Sequence, residues 1–311
     1  MFSRVLVGVD GRPGGRDAIA LACRLLEPGG ELTLAHIHGS ELMPSPSFGA
    51  EQRERSQQLL EEERSLSGCS ARLESRSASS VGRGLHTLVE ELGAELLIVG
   101  SCSRGLAGRV LVGNAARASL VGAPCAVASA PRGYAEHPSE IVAVGVGYDG
   151  SRESEAALAA GRALAAAHGA KLRALEVVSI PAFVYPGYVP PEIGESIDVM
   201  LREAGDRLDA LDGVDGRAVY GLAGEELAAF GKEVDLLVVG SRGYGPVSRL
   251  ILGSTSEHLQ RNAPCPLLVL PRSAAERDQA PQPAIERDRV TRQAAGDSGA
   301  VQPAAQSIAA P

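Results

Sequence analysis

The sequence contains no tryptophan, and aromatic residues make up only 3% of its 311 residues. Proteins that bind single-stranded nucleic acid stack the bases on aromatic side chains, so this class is disfavoured. The net charge of −8 disfavours a polyphosphate backbone as well. No apolar run reaches the ~18 residues of a membrane span, and no long apolar signal region precedes the first predicted strand. We therefore expect a cytoplasmic protein that binds neither nucleic acid nor a membrane.

Several enzyme motifs are also missing. The sequence has no Gly-x-Ser-x-Gly nucleophile elbow and no Gly-Lys-Ser/Thr phosphate loop. Without that lysine, phosphoryl transfer lacks its usual cation on the phosphates. His36 and His38 alternate on a predicted strand, but no third ligand accompanies them, so metal binding is not expected. We assign no catalytic residue and no metal ligand.

The cysteines show no paired spacing. There are five in the chain, and none forms a Cys-x-x-Cys pair. An odd number of scattered cysteines predicts reduced thiols in a cytoplasmic protein and not a disulfide framework.

The sequence contains an internal repeat that spans nearly half of the chain. Asp10-Gly11 recurs as Asp149-Gly150, 139 residues later, and Gly113 recurs as Gly253, 140 residues later. A repeat of this length indicates a duplicated domain. We expect a first domain at 1–132, a linker at 133–140, a second domain at 141–272 and a disordered tail at 273–311, where apolar residues are scarce.

Each copy alternates predicted strands with predicted helices. In the first copy we expect a helix at 17–26 that stops at Pro28-Gly29-Gly30, a strand at 31–37, a helix at 114–121 and a last strand at 125–128. The second copy repeats the pattern and ends on a short apolar strand, Leu267–Leu270. This alternation predicts an α/β fold of two tandem, open, parallel five-stranded sheets with helices on both faces.

A glycine loop follows a buried strand of the second copy. Gly240 and Gly243 come first, and Gly253-Ser254-Thr255 stands where a helical pattern begins. Glycines let a bulky anion approach the backbone, and a helix N-terminus offers free N–H groups. This order indicates a phosphate site. Ser254 with Glu257 also fits a capping box, which requires no ligand.

Asp149-Gly150 ends the first strand of the second copy. In an open parallel sheet, ligands bind beyond the carboxyl ends of the strands where the strand order reverses. A carboxylate there could accept hydrogen bonds from ribose hydroxyls. The alternative is that Asp-Gly only turns the chain into a helix capped by Ser151.

The spacing of Gly240, Gly243 and Gly253-Ser254, followed by Ala263-Pro264-Cys265-Pro266 and a final aliphatic strand, resembles the universal stress protein family. The resemblance covers roughly 1–132 and 141–272. It implies a Rossmann-like fold of the adenine nucleotide alpha-hydrolase type. It also implies a ribose contact at Asp149, an adenine contact at the backbone of Val177, and phosphates on the amides of Gly240, Gly243, Gly253, Ser254 and Thr255.

The first copy departs from that family pattern. Ser103 replaces the second glycine, and Asn114 replaces the hydroxyl residue that follows Gly113 in the motif. The corresponding contacts would be Asp10 for ribose, Ile37 for adenine, and Gly100, Gly113 and Asn114 for phosphates. We expect this site to bind nucleotide poorly or to remain empty.

Three functions stay open. The first is a regulatory, stress-response protein that binds ATP or a related adenine nucleotide in the second domain with little or no turnover, Mg²⁺ being left open. The second is a slow ATP hydrolase, and the third is a nucleotide-free interaction scaffold. The final strand invites edge pairing, so we expect either pairing of the two domains within one chain or a homodimer.

Overall fold

A computed structural model describes residues 1–39, 46–100, 119, 121–179, 191–241 and 253–271. The first copy follows the predicted alternation of strands and helices. Its elements are β1 (Phe2–Gly8), α1 (Pro13–Leu25), β2 (Leu26–Gly39), α2 (Pro46–Ser67), β3 (Arg72–Ala78), α3 (Val81–Leu92), β4 (Leu96–Gly100) and β5 (Ala126–Ala130). The helix predicted at 114–121 and the tail predicted at 273–311 lie outside the described residues, apart from 119 and 121.

The second copy follows the same alternation, and a further helix is described before its last strand. Its elements are β6 (Ala143–Gly147), α4 (Arg152–His168), β7 (Lys171–Val178), α5 (Pro191–Asp209), β8 (Asp215–Tyr220), α6 (Ala223–Phe230), β9 (Leu236–Gly240), α7 (Ser254–Asn262) and β10 (Leu267–Leu270). No helix among the described residues is long and apolar enough to cross a membrane.

The strands of each copy form a parallel five-stranded sheet, and the two sheets are joined. The order is β3-β2-β1-β4-β5-β10-β9-β6-β7-β8. Each copy is parallel throughout, and β5 and β10 pair antiparallel with Leu268 opposite Ala128. The predicted α/β fold with two tandem sheets is confirmed. Pairing of the two last strands within one chain gives one ten-stranded sheet, so Leu267–Leu270 is no longer an open edge.

Helices cover both faces of this sheet because the strands are apolar on both faces. On one face, alternate residues of β1 such as Val5 and Val7 pack with α1, α2, α4 and α5. On the other face, residues such as Leu6 and Leu97 pack with α3, α6 and α7. Strands β4 and β5, the two strands of the first half that lie nearest the centre of the ten-stranded sheet, are buried at every position.

The beginning of β2 differs from the prediction. Pro28-Gly29-Gly30 was expected to separate helix from strand, but α1 already ends at Leu25 and β2 starts at Leu26. Phe2 pairs with Leu26 and Arg4 pairs with Glu31, so the register shifts across the Pro-Gly-Gly segment. Gly29 takes a φ of +83° there, which glycine adopts without steric cost. The segment is therefore an irregularity inside a strand.

The linker between the copies is fastened to α1. The carboxylate of Asp17, which is buried, accepts hydrogen bonds from the backbone N–H groups of Gly133 at 3.0 Å and Ala135 at 2.8 Å. Tyr134 between them is buried as well. The predicted linker is therefore an ordered connection that packs on the first helix.

Candidate functional site

The strand order reverses at β6 in the second copy. Strand β6 lies between β7 and β9, and the chain leaves it towards β7 and returns on the other side through β9. The carboxyl ends of β6 and β9 therefore lie side by side, with a helix leaving in each direction. Such a reversal is where open parallel sheets bind ligands. Strand β1, between β2 and β4, repeats this arrangement in the first copy.

Asp149 lies at the carboxyl end of β6, two residues after the strand. Gly150 follows with a φ of +72°, and Ser151 caps α4 by accepting a hydrogen bond from Ser154 N at 3.2 Å. One carboxylate oxygen of Asp149, Oδ1, accepts hydrogen bonds from Ser151 N at 3.0 Å and Ser151 Oγ at 2.5 Å. Asp149-Gly150 therefore does turn the chain into a helix capped by Ser151, as the alternative predicts. This turn engages only Oδ1 of Asp149. No residue in the described ranges donates a hydrogen bond to Oδ2, and the Asp149 side chain is exposed.

Asp10 holds the same position in the first copy but has a different partner. Its Oδ1 accepts a hydrogen bond from Arg12 N, and its Oδ2 pairs with the Arg12 guanidinium, each at 3.3 Å. Both carboxylate oxygens of Asp10 are therefore engaged by Arg12. A ligand hydroxyl would compete with a cation there, and this competition is lacking at Asp149.

The backbone N–H and C=O groups of Val177 face the space beyond the carboxyl end of β6. The carbonyl of Leu175 accepts a hydrogen bond from Tyr148 N at 3.0 Å, the last backbone contact between β6 and β7. Alternate residues of a parallel strand direct their N–H and C=O groups to the same neighbour. The backbone groups of Val177 therefore face the side from which β6 has already turned away. Ile37 is placed in the same way, because Ala35 O accepts from Val9 N at 2.9 Å.

Gly240 ends β9 directly against α4. A Cβ at Gly240 would lie 2.5 Å from the carbonyl oxygen of Glu153. Gly100 is tighter still, because its Cβ would lie 1.8 Å from the carbonyl oxygen of Gly14. Helix and strand backbones approach so closely that no side chain fits. Packing thus accounts for glycine at these two positions, whether or not a ligand binds.

Helix α7 begins without a side-chain cap. Its N-cap residue is Gly253, with φ −77° and ψ 165°, which has no side chain to bond to the first turn. The alternative, a capping box of Ser254 and Glu257, does not fit this geometry, because Ser254 already lies inside the helix and Gly253 is the N-cap residue. Ser254 is exposed and Thr255 is half-buried. The first N–H groups of α7, whose dipole favours an anion, are therefore left without a side-chain acceptor from the N-cap.

The remaining predicted site residues cannot be placed in the same way. Gly243, Gly113 and Asn114 lie outside the described residues. The structure does bring together the carboxyl ends that carry Asp149, Val177 and Gly240, as the sequence predicts for parallel strands. Their contact with a ligand stays a prediction.

An ion pair beside Gly150 was not predicted from the sequence. Glu176 is buried on β7 and binds the Arg207 guanidinium through two contacts, at 2.5 and 3.4 Å. Arg207 comes from α5, and its Cδ would lie 3.6 Å from a Cβ at Gly150. In the first copy, the apolar Leu59 lies in the same place, and its Cδ1 would be 3.0 Å from a Cβ at Gly11. The one available signal was a lone carboxylate within the apolar run of β7.

Tyr148, which directly precedes Asp149, is hydrogen-bonded to α4. Its hydroxyl donates to Glu155 Oε1 at 2.5 Å. This hydrogen bond, with partial burial, raises the pKa of Tyr148 to about 12. Tyr148 therefore stays a neutral donor at physiological pH and fixes the first turn of α4 next to Asp149.

His36 of β2 belongs to a local hydrogen-bond network. The Nδ1 atom of His36 lies 2.8 Å from Ser56 Oγ, and Ser75 donates to the same oxygen at 2.7 Å. Burial and the nearby His38 lower the pKa of His36. Within the described ranges, no group of three or more His, Cys, Asp or Glu side chains is arranged to hold a metal ion.

A cavity of about 780 Å³ lies at the opposite end of the sheet. Met1, Leu26, Gly30 and Ile141 line it, and these residues belong to the amino ends of β1, β2 and β6. This cavity is therefore separate from the edge that carries Asp149.

Comparison with known proteins assigns the family. A model described as "Universal stress protein family" matches residues 1–131 and 143–271. A universal stress protein of Mycobacterium tuberculosis strain H37Rv is 28% identical over 254 residues, covering 77% of this chain and 85% of its own. Another from Thermus aquaticus is 33% identical over 129 residues, which is 40% of this chain and 93% of its own.

The fold agrees with a solved structure. The crystal structure of a universal stress protein from Archaeoglobus fulgidus DSM 4304 covers 87% of this chain and 99% of its own, with a TM-score of 0.63 at 18% identity. The family model matches twice, once in each copy of the repeat. The chain belongs to the universal stress protein family, with two family domains in tandem.

Proposed function

We propose that this protein binds an adenine nucleotide, in the first place ATP, at the carboxyl edge of its second domain. One observation carries the proposal: Asp149, the backbone of Val177 and the end of β9 meet at the strand-order reversal. Membership of the family supports it, because the motif implies nucleotide binding. The nucleotide has a regulatory role in the stress response.

Each group contributes a different contact. Asp149 Oδ2 accepts a hydrogen bond from a ribose hydroxyl while Ser151 holds Oδ1. The backbone of Val177 receives the adenine edge. The phosphates lie against the backbone of residues 240–255, and the N-terminus of α7 contributes N–H groups and a partial positive charge. Mg²⁺ accompanies the phosphates in this proposal, and no described side chain is assigned to it.

The second domain is the stronger site. Arg12 occupies the carboxylate of Asp10 in the first domain, whereas Asp149 keeps one oxygen accessible. The sequence also keeps hydroxyl residues after Gly253 and loses them after Gly113. We expect the first domain to bind nucleotide poorly or not at all.

Two other functions are kept as alternatives. A slow ATP hydrolase needs a general base or a carboxylate that holds a metal, and Asp149 is the one candidate at this edge within the described residues. A nucleotide-free scaffold would rely on open strands, and the pairing of β5 with β10 leaves β3 and β8 as the outer strands. Dimerisation of whole chains stays a prediction.

Mass spectrometry of ligand released from denatured protein separates these functions. Copurified adenine nucleotide supports the proposal, and its absence together with no measurable ATP binding supports the scaffold. Release of phosphate from ATP with Mg²⁺, abolished in Asp149→Ala, supports the hydrolase.

The Gly253→Val variant tests the phosphate contacts. The backbone angles of Gly253 suit valine, and the branched side chain would occupy the place of the anion. Circular dichroism of the variant checks that the fold is retained at this buried position. Loss of one charge-assisted hydrogen bond lowers affinity by about tenfold or more. Unchanged affinity would refute this placement of the phosphates.

A further inference from the structure

Two cysteine sulfurs are in direct contact in the first domain. Cys23 lies near the end of α1, and Cys69 lies in the turn between α2 and β3. Their Sγ atoms are 2.6 Å apart, although the residues are 46 positions apart in sequence. Both cysteines are free thiols in the structure.

Packing between α1 and α2 brings these sulfurs together. Arg16 and Cys23 are two helical turns apart and therefore share one face of α1. On that face, Arg16 pairs at 3.3 Å with Glu63 of α2, whose side chain is buried. Gly68 then takes a φ of +65° and reverses the chain after α2, which delivers Cys69 to Cys23.

The second domain holds the same two positions together by other chemistry. Arg162, the counterpart of Cys23 at an offset of 139, donates to the carbonyl of Asp212 at 2.6 Å. Asp212 precedes Gly213, whose φ of +70° marks the turn equivalent to that at Gly68. The fold thus ties its first helix to this turn in both domains. Only in the first domain are the tying groups two thiols.

This pair can be reached from solvent. Cys23 is exposed and Cys69 is half-buried. Both line the cavity of about 780 Å³ and a second cavity of about 530 Å³. By contrast, Cys125 and Cys265 are buried at the starts of β5 and β10, and burial raises the pKa of each thiol to about 12.

We propose that Cys23 and Cys69 form a dithiol–disulfide site that exchanges with low-molecular-weight disulfides. In the first step, the thiolate of one cysteine attacks a sulfur of the small disulfide, forms a mixed disulfide and releases one small thiolate. The other cysteine then loses its proton and attacks the protein sulfur of that mixed disulfide, which expels the second small thiolate. In sum, two protein thiols and one small disulfide give one protein disulfide and two small thiols.

Local chemistry makes the exchange slow at neutral pH. Partial burial of the sulfur, with the contact to Cys69, raises the pKa of Cys23 to about 12 although the residue as a whole is exposed. The thiolate is the nucleophile, so closure should accelerate as the pH rises. Once formed, the bond constrains the unfolded chain between α1 and β3 and stabilises the first domain.

The test uses the purified full chain equilibrated with glutathione buffers of increasing oxidised fraction. Free thiols are alkylated, and the products are analysed by intact mass and peptide mapping. We expect a chain lighter by two hydrogens, a linked peptide pair containing Cys23 and Cys69, and a melting temperature several degrees higher. Cys23→Ser and Cys69→Ser should each abolish the linked pair, and Cys102→Ser should retain it.

Three results would overturn the proposal. These are full alkylation of both cysteines in oxidised buffer, a glutathione adduct that persists on either of them, and a disulfide that joins either one to a different cysteine. Mapping of the wild-type chain decides among them even where a variant folds poorly.

Discussion

The Gly240→Ala variant tests whether close packing against α4 requires glycine at the end of β9. The added Cβ would lie 2.5 Å from the Glu153 carbonyl oxygen, 2.7 Å from its carbonyl carbon and 2.8 Å from its Cβ. Two of these three atoms are backbone, so α4 or β9 must move. Overpacking of this kind costs about 1–3 kcal/mol, which lowers the melting temperature by about 2–12 °C for a folded unit of this size.

Gly205→Ala is the matched control for this prediction. Gly205 lies inside α5, and a Cβ there meets no atom within 4 Å. Alanine is favoured over glycine within a helix by about 0.5–1 kcal/mol, so this variant should melt about 1–4 °C higher. Thermal unfolding followed by circular dichroism, without nucleotide, measures both variants. Wild-type stability in Gly240→Ala would refute packing as the reason for this glycine.

Three further variants test the described contacts by the same thermal measurement. Arg207→Ala leaves the buried Glu176 carboxylate without its partner and should cost about 1–2 kcal/mol, discounted because Arg207 is half exposed; an unchanged melting temperature would contradict the role of this pair. Asp17→Ala removes the acceptor of two linker N–H groups and should cost about 1–3 kcal/mol, with faster proteolysis near Gly133; a linker as resistant as in the wild type would count against it. Arg217 lowers the pKa of Glu233 below its ordinary value, so this carboxylate stabilises the fold above the unfolded pKa of about 4.5 and loses that contribution as the pH falls through the lower folded pKa. Glu233→Gln should therefore melt below the wild type at pH 7 and by a smaller margin at pH 3, and equal differences at the two pH values would contradict this sign.

The architecture could be predicted from the sequence because buried strands and helices show local patterns of apolar residues. Apolar runs such as that of β9 and the 139-residue repeat were enough to predict the strands, the tandem arrangement and the family. The start of β2 was missed because Pro-Gly-Gly ordinarily ends an element, whereas here Gly29 absorbs a register shift between paired strands.

Features that depend on tertiary approach could not be predicted. Nothing local distinguishes a glycine required by a ligand from one required by a crossing helix, as at Gly240. The contact between Cys23 and Cys69 depends on the packing of α1 against α2 across 46 positions. Arg207 reaches Gly150 only because α5 covers the end of β7.

Titration calorimetry with ATP tests the central proposal most directly. The wild-type chain, Asp149→Ala and Asp10→Ala are compared under identical conditions. We expect binding of about one nucleotide per chain, an affinity about tenfold lower in Asp149→Ala because a hydrogen bond to a carboxylate is lost, and wild-type affinity in Asp10→Ala. No heat of binding in the wild-type chain, or equal losses in the two variants, would contradict a nucleotide site at the edge of the second domain.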